Sequence, residues 1–295
     1  MEGYKNETNS TLTASPEINW ITISVCIAAI VITVFSLLLS IAIFLDRKAY
    51  EKTRSFLLLN YMFNYTLFAF LFYFRYAHVK IFTDLQASGC YAIFILCSVF
   101  EDGALYFLIP ICYDFIVKYT NPSKHDSQSF LCPQIILTVV LWVFIWIKVL
   151  VMMLAYTSHK LNPCQIDLDA SALYFHFAIV ILYVIVLLVY LGMLINISVN
   201  NRGNDDTIVP LRTIITVVLV TMILYAIHNI LFAVMYGGLM AKLFYSAFLI
   251  FLIKFIVVPF LWLSDPTIKQ SIRTLCSRKC QSSDDFSPNE LTKLN

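Results

Sequence analysis

The sequence predicts an all-α protein, a bundle of seven membrane-spanning helices, and three observations predict it. Composition is displaced toward lipid. Hydrophobic residues make up 60% of the chain and charged residues 13%, against about 45–50% and about 25% in soluble domains, and the mean hydropathy is +0.80. Seven apolar stretches each reach the length of about 20 residues that a spanning helix needs. Basic residues, finally, divide unequally between the two sets of connections. The 20 basic and 18 acidic residues nearly cancel, with no run of lysine and arginine. That balance excludes nucleic acid as a partner.

Taken in order, residues 1–20 form a polar arm that lacks the apolar core of a cleavable signal peptide. The first span, 21–45, is therefore expected to serve as its own membrane signal. Further spans are read at 55–74, 90–113, 133–155, 172–195, 213–235 and 243–263, which makes 21–263 one transmembrane domain. The connections are too short to hold a soluble domain. Twelve basic residues near span ends, Arg54, Lys118 and Arg212 among them, lie on one side, and five, including Lys80 and Lys160, lie on the other. The richer side faces the cytoplasm. This puts the N-terminal arm outside and the tail, 264–295, inside, as expected of a multi-pass plasma-membrane protein. Two acceptor sequons, at Asn6 and Asn9, fall in the outer arm, where glycosylation is possible.

Of the eight cysteines, Cys90 and Cys164 alone fall on the oxidising side outside the hydrocarbon in this orientation. A disulfide between them would tie the long outer loop to span three; the alternative is two unrelated free thiols. Cys26, Cys97 and Cys112 read as small apolar packing residues, and no pair has zinc-ligand spacing, so no metal is expected. After span seven, Asp265 suits an N-cap and Pro266 a first helical position. Ile268, Ile272 and Leu275 then recur on one face, with Lys269 and Arg273 on the other. An amphipathic helix over 266–276 is expected in the inner interface, with Cys276 and Cys280 either palmitoylated or left as free thiols.

Several marks are more specific. Tyr113-Asp114-Phe115-Ile116-Val117, followed by Asn121-Pro122, closes span three, and Trp142 lies 27 residues after Phe115 in span four. Pro259 stands in span seven with Val258 and Trp262 near it, Arg54-Ser55-Phe56-Leu57 precedes span two, and Asp265-Pro266-Thr267-Ile268 follows span seven. Together with the seven spans, the chain over about 20–280 resembles class A (rhodopsin-like) G-protein-coupled receptors, and in these motifs teleost-type odorant receptors. The resemblance implies a chemosensory receptor, not an enzyme, needing no cofactor. Its partners would be a small-molecule ligand in an outer-half cavity, membrane lipid, and a heterotrimeric G protein and arrestin inside. It also implies a cytoplasmic switch at Asp114, Phe115, Pro259 and Trp262. Phe115 stands where the family carries an arginine, and Val258 and Trp262 where it carries asparagine and tyrosine. An atypical or decoy receptor without ordinary coupling is therefore the alternative reading.

Ionisable groups at bilayer depth are costly and point to function or to a partner. Glu101 lies roughly 16 Å below the outer end of span three, with Asp102 beside it, and Lys254 is about as deep in span seven. One of the two carboxylates is expected to face Lys254, because neighbouring residues stand about 100° apart on a helix. The pair would serve either helix packing or the floor of a ligand pocket, for which Cys97, Glu101, Asp102, Tyr225, His228 and Lys254 are the candidates. Lys148 is expected to snorkel to the outer interface, and His176 to be interfacial. A transporter is disfavoured, since the spans show neither an inverted repeat nor paired glycine and proline breaks. A membrane enzyme would need a histidine cluster or paired aspartates across two helices, and neither is present.

Overall fold

The computed structural model describes residues 20–45, 53–81, 87–125, 128–156, 170–200, 205–236 and 243–274. The described residues are helix and turn, with no strand among them. The order is α1 (Trp20–Leu45), α2 (Thr53–Ile81), α3 (Ala87–Tyr106), α4 (Leu108–Thr120), α5 (Pro122–His125), α6 (Gln128–Tyr156), α7 (Ala170–Asn200), α8 (Asp205–Tyr236) and α9 (Leu243–Trp262), then α10 over 266–274. Six stretches are long and apolar enough to cross a bilayer, running from Cys26–Leu45 to Ile208–Leu231, and Leu252–Trp262 adds a shorter apolar segment. The chain thus has the character of a multi-pass membrane protein. Helices are the form such segments must take, because hydrocarbon offers backbone amides no partner outside the segment itself.

Several helices outrun the spans read from hydropathy. In the second, fifth and sixth spans, α2 reaches Ile81, α7 reaches Asn200, and α8 begins at Asp205 rather than 213. Hydropathy marks the part that prefers hydrocarbon, while hydrogen bonding carries a helix on into polar flanks. Pro133 and Pro210, near the starts of α6 and α8, are consequently inside helices. The third span is corrected in two ways. It continues past 113 to Thr120, and it is interrupted at Phe107. Pro110 accounts for the break, because it has no N–H for the Tyr106 carbonyl and its ring crowds that turn. The Tyr183 hydroxyl of α7 donates to the Leu105 carbonyl at 2.7 Å beside the break.

The α3–α4 rod occupies the middle, touching α2, α6, α7 and α8, while α9 packs on α8 and closes the ring onto α1. Close approach of α2 to α3 depends on Gly103, where a Cβ would overlap the Asn64 amide oxygen. Asn64 is buried and donates to the Asn60 carbonyl at 2.7 Å. The outside is apolar. On α6, Ile136, Val140 and Ile147 face out, and Leu154 is 74% exposed, while Ile145, Val149 and Met153 face in. Exposed apolar surface on this scale marks a face that meets lipid.

Candidate functional site

Near its midpoint the α3–α4 rod carries adjacent carboxylates, and the helix twist sends them to different neighbours. Asp102 receives Lys148 of α6, whose Nζ donates to Oδ1 at 2.7 Å and Oδ2 at 2.8 Å. Glu101 meets Lys254 of α9, with Nζ 3.8 Å from Oε1. Lys254 Nζ also lies 5.1 Å from the centre of the Tyr225 ring and 4.5 Å from that of Phe255. Ring faces of this kind attract an ammonium. The Lys148 side chain is 2% exposed and the Lys254 side chain 0%, but Glu101 keeps 28%. Two lysines and two carboxylates thus neutralise one another across three helices. Such pairing offsets the cost of taking each charge out of water.

The sequence-based expectation for Lys148 is overturned. It does not snorkel, because a carboxylate one helix away offers both oxygens at hydrogen-bond distance. His176 is half-buried on α7, its Nε2 3.1 Å from Asn229 Oδ1 of α8, with Asn229 Nδ2 donating to the Tyr225 carbonyl at 2.8 Å, so it joins α7 to α8. Cys97 is buried on α3, Tyr225 is buried edge-on to Tyr183 with ring centres 5.7 Å apart, and His228 is half-buried on α8. A groove of about 350 Å³ opens between α1 and α2 at Ser40, Phe44, Asn60 and Phe63, well apart from these charges in the sequence.

A second polar cluster lies at the α10 end. Arg54 at the start of α2 pairs with Asp265 Oδ2, and its guanidinium carbon is 3.7 Å from the centre of the Phe115 ring on α4. Asp265 Oδ1 accepts from the Thr267 amide at 2.8 Å and the Ile268 amide at 3.4 Å, capping α10. One carboxylate therefore holds α2 and starts α10, while the Asp265 backbone N–H donates to the Trp262 carbonyl at the end of α9 at 2.9 Å. Asp114 is buried, with Oδ1 3.1 Å from His125 Nε2 of α5. Trp262 is buried against Tyr61, ring centres 5.8 Å apart, and Pro259 lies inside α9. The role of Arg54 in this cluster was not read from the sequence. Its signal is a lone arginine and a lone aspartate at the two chain ends of adjoining helices.

Other expectations lie outside the described residues: the sequons at Asn6 and Asn9, the loop residue Cys164 and the side chain of Cys90, and Cys276 and Cys280. Cys26, Cys112 and Cys132 are free. Among the described residues no three metal-ligating side chains come together. No family model matches the chain, and no curated protein matches it.

Proposed function

We propose that the chain is a seven-helix chemosensory receptor of the plasma membrane, with its N-terminus outside and α9 as the seventh crossing. The observation that carries this reading is the half-exposed Glu101 above the buried Lys254, on a central rod that touches four other helices. A small, largely apolar ligand with one hydrogen-bond donor would compete with Lys254 for Glu101. It would thereby shift α9 against α3, and ionisable groups at such depth are rarely kept without a task. The Cys90–Cys164 disulfide, glycans at Asn6 and Asn9, and lipid on Cys276 and Cys280 belong to the same proposal. The test is a G-protein activation assay of the full chain across a chemical panel. A response to some compound that Glu101→Gln abolishes at equal surface expression is expected. Silence across the panel, together with compounds that bind unaffected by Glu101→Gln, would refute it.

A second reading, an atypical or decoy receptor, is favoured by Arg54 on Phe115. A guanidinium is present at this inner site, but it comes from α2 and is engaged with Asp265. It is thus not available on α4 to a G-protein tail. Phe115→Arg combined with Arg54→Phe would return the guanidinium to α4. Ligand-driven signalling in that double variant, but not in the wild type, supports the decoy.

A further inference from the structure

Where α8 begins and α9 ends, the two helices leave between them a groove of about 320 Å³, lined by Val209, Arg212, Thr213, Thr216, Leu261 and Ser264. Arg212 is exposed, yet it stands one turn inside the apolar stretch Ile208–Leu231. A charge at that level needs an opposite charge or water. Arg54, Lys148 and Lys254 each have a carboxylate. Among the described residues, Arg212 has none. Asp265, which adjoins the groove residue Ser264, is taken by Arg54 and by the first amides of α10, and the side chains of Asp205 and Asp206, seven and six residues before Arg212, lie outside the described residues.

The lining specifies what would fit. The Arg212 guanidinium offers a fork of donors suited to phosphate, and the exposed Ser264 hydroxyl can add another. Thr213 Oγ1 donates to the Val209 carbonyl at 3.2 Å, and Thr216 Oγ1 to the Arg212 carbonyl at 2.8 Å. Their oxygens are left as acceptors for a ligand that carries its own N–H or O–H. Val209 and Leu261 supply apolar wall. An anion with donors beside it and hydrocarbon behind it describes one class of molecule available at this level. We propose that the groove binds the headgroup of an anionic glycerophospholipid, its phosphate on Arg212 and Ser264 and its ammonium or hydroxyl donors on Thr213 and Thr216. Lys269 and Arg273, both exposed on α10, raise the local concentration of anionic lipid without contacting the groove. The proposal rests on α8 spanning the membrane but not on the receptor reading.

The full chain would be reconstituted in phosphatidylcholine vesicles with and without phosphatidylserine, and retained lipid counted by native mass spectrometry after release into detergent. Preferential retention of phosphatidylserine is expected, falling about tenfold in Arg212→Gln, as loss of a charge-assisted phosphate contact implies. Lys269→Gln with Arg273→Gln should leave most of it. Wild-type retention in Arg212→Gln would overturn the site, and complete loss in the Lys269, Arg273 pair would reduce it to general surface charge. Displacement of the lipid by inorganic phosphate would assign the groove to a soluble anion instead. If Arg212→Gln fails to accumulate, Ser264→Ala decides, with a several-fold loss expected and an unchanged adduct overturning the assignment.

Discussion

Replacing Asp102 by leucine removes both acceptors of Lys148 and leaves an ammonium 2% exposed without the carboxylate that receives it. Breaking one side of a buried pair costs about 3–5 kcal/mol, whereas replacing both sides by apolar residues is often neutral or better. With about 2 °C of melting temperature per kcal/mol for a chain of this length, Asp102→Leu or Lys148→Met alone should lower the midpoint by about 6–10 °C. The double substitution should recover most of that loss. A thiol-reactive fluorophore can read the transition, since Cys112 is free and buried while exposed Cys132 sets the baseline. The quantity of interest is the coupling across the double-mutant cycle. Additive losses, with the double variant the least stable of the three, would refute the pairing as the reason these charges are tolerated. So would an unchanged midpoint in Asp102→Leu.

Three further outcomes follow from contacts already described. Gly103→Ala should cost about 1–3 kcal/mol through overlap with Asn64, and Asn64→Ala in the same chain should restore it; a silent Gly103→Ala in the same melting assay contradicts the close approach. Asp265→Asn preserves the N-cap, since asparagine caps as well as aspartate, but removes the charge facing Arg54. Lower surface expression with unchanged helix content by circular dichroism is expected, and wild-type expression would show that the pair holds nothing. Tyr183→Phe should lose about 1 kcal/mol from the unmade bond to Leu105, seen as a midpoint lower by about 2 °C.

Much of the fold was legible because hydrophobic runs of span length have few alternatives in a chain this apolar. The N-cap at Asp265 and the buried face of α10 at Ile268 were legible for the same kind of reason, being local patterns. What escaped was rotation and partnership. Lys148 stands in a run of apolar residues, and nothing along that run says which side of α6 turns toward α3. Snorkelling was the reading that needed no partner, and Asp102 made it wrong. That one of Glu101 and Asp102 would meet Lys254 was anticipated from depth, a one-dimensional quantity. The division of labour between Glu101 and Asp102 needed the second lysine as well. Arg54 was visible as part of a motif, but its place over Phe115 depends on three helices converging, which no spacing encodes. The break at Phe107 could have been inferred from Pro110, which lies inside a span.

The pairing of the buried charges has an electrical consequence. A transmembrane potential does work of about 2.3 kcal/mol per 100 mV on one elementary charge moved across the whole bilayer. Lys148 and Lys254 are each matched by a negative charge only 2.7 Å or 3.8 Å away. Across a core about 30 Å thick, the most either pair can feel, lying fully along the field, is about a tenth of that work, roughly 0.2–0.3 kcal/mol per 100 mV. That is below thermal energy. A change of membrane potential thus finds almost nothing to pull on between α3, α6 and α9, and their relative positions answer to chemistry rather than to voltage.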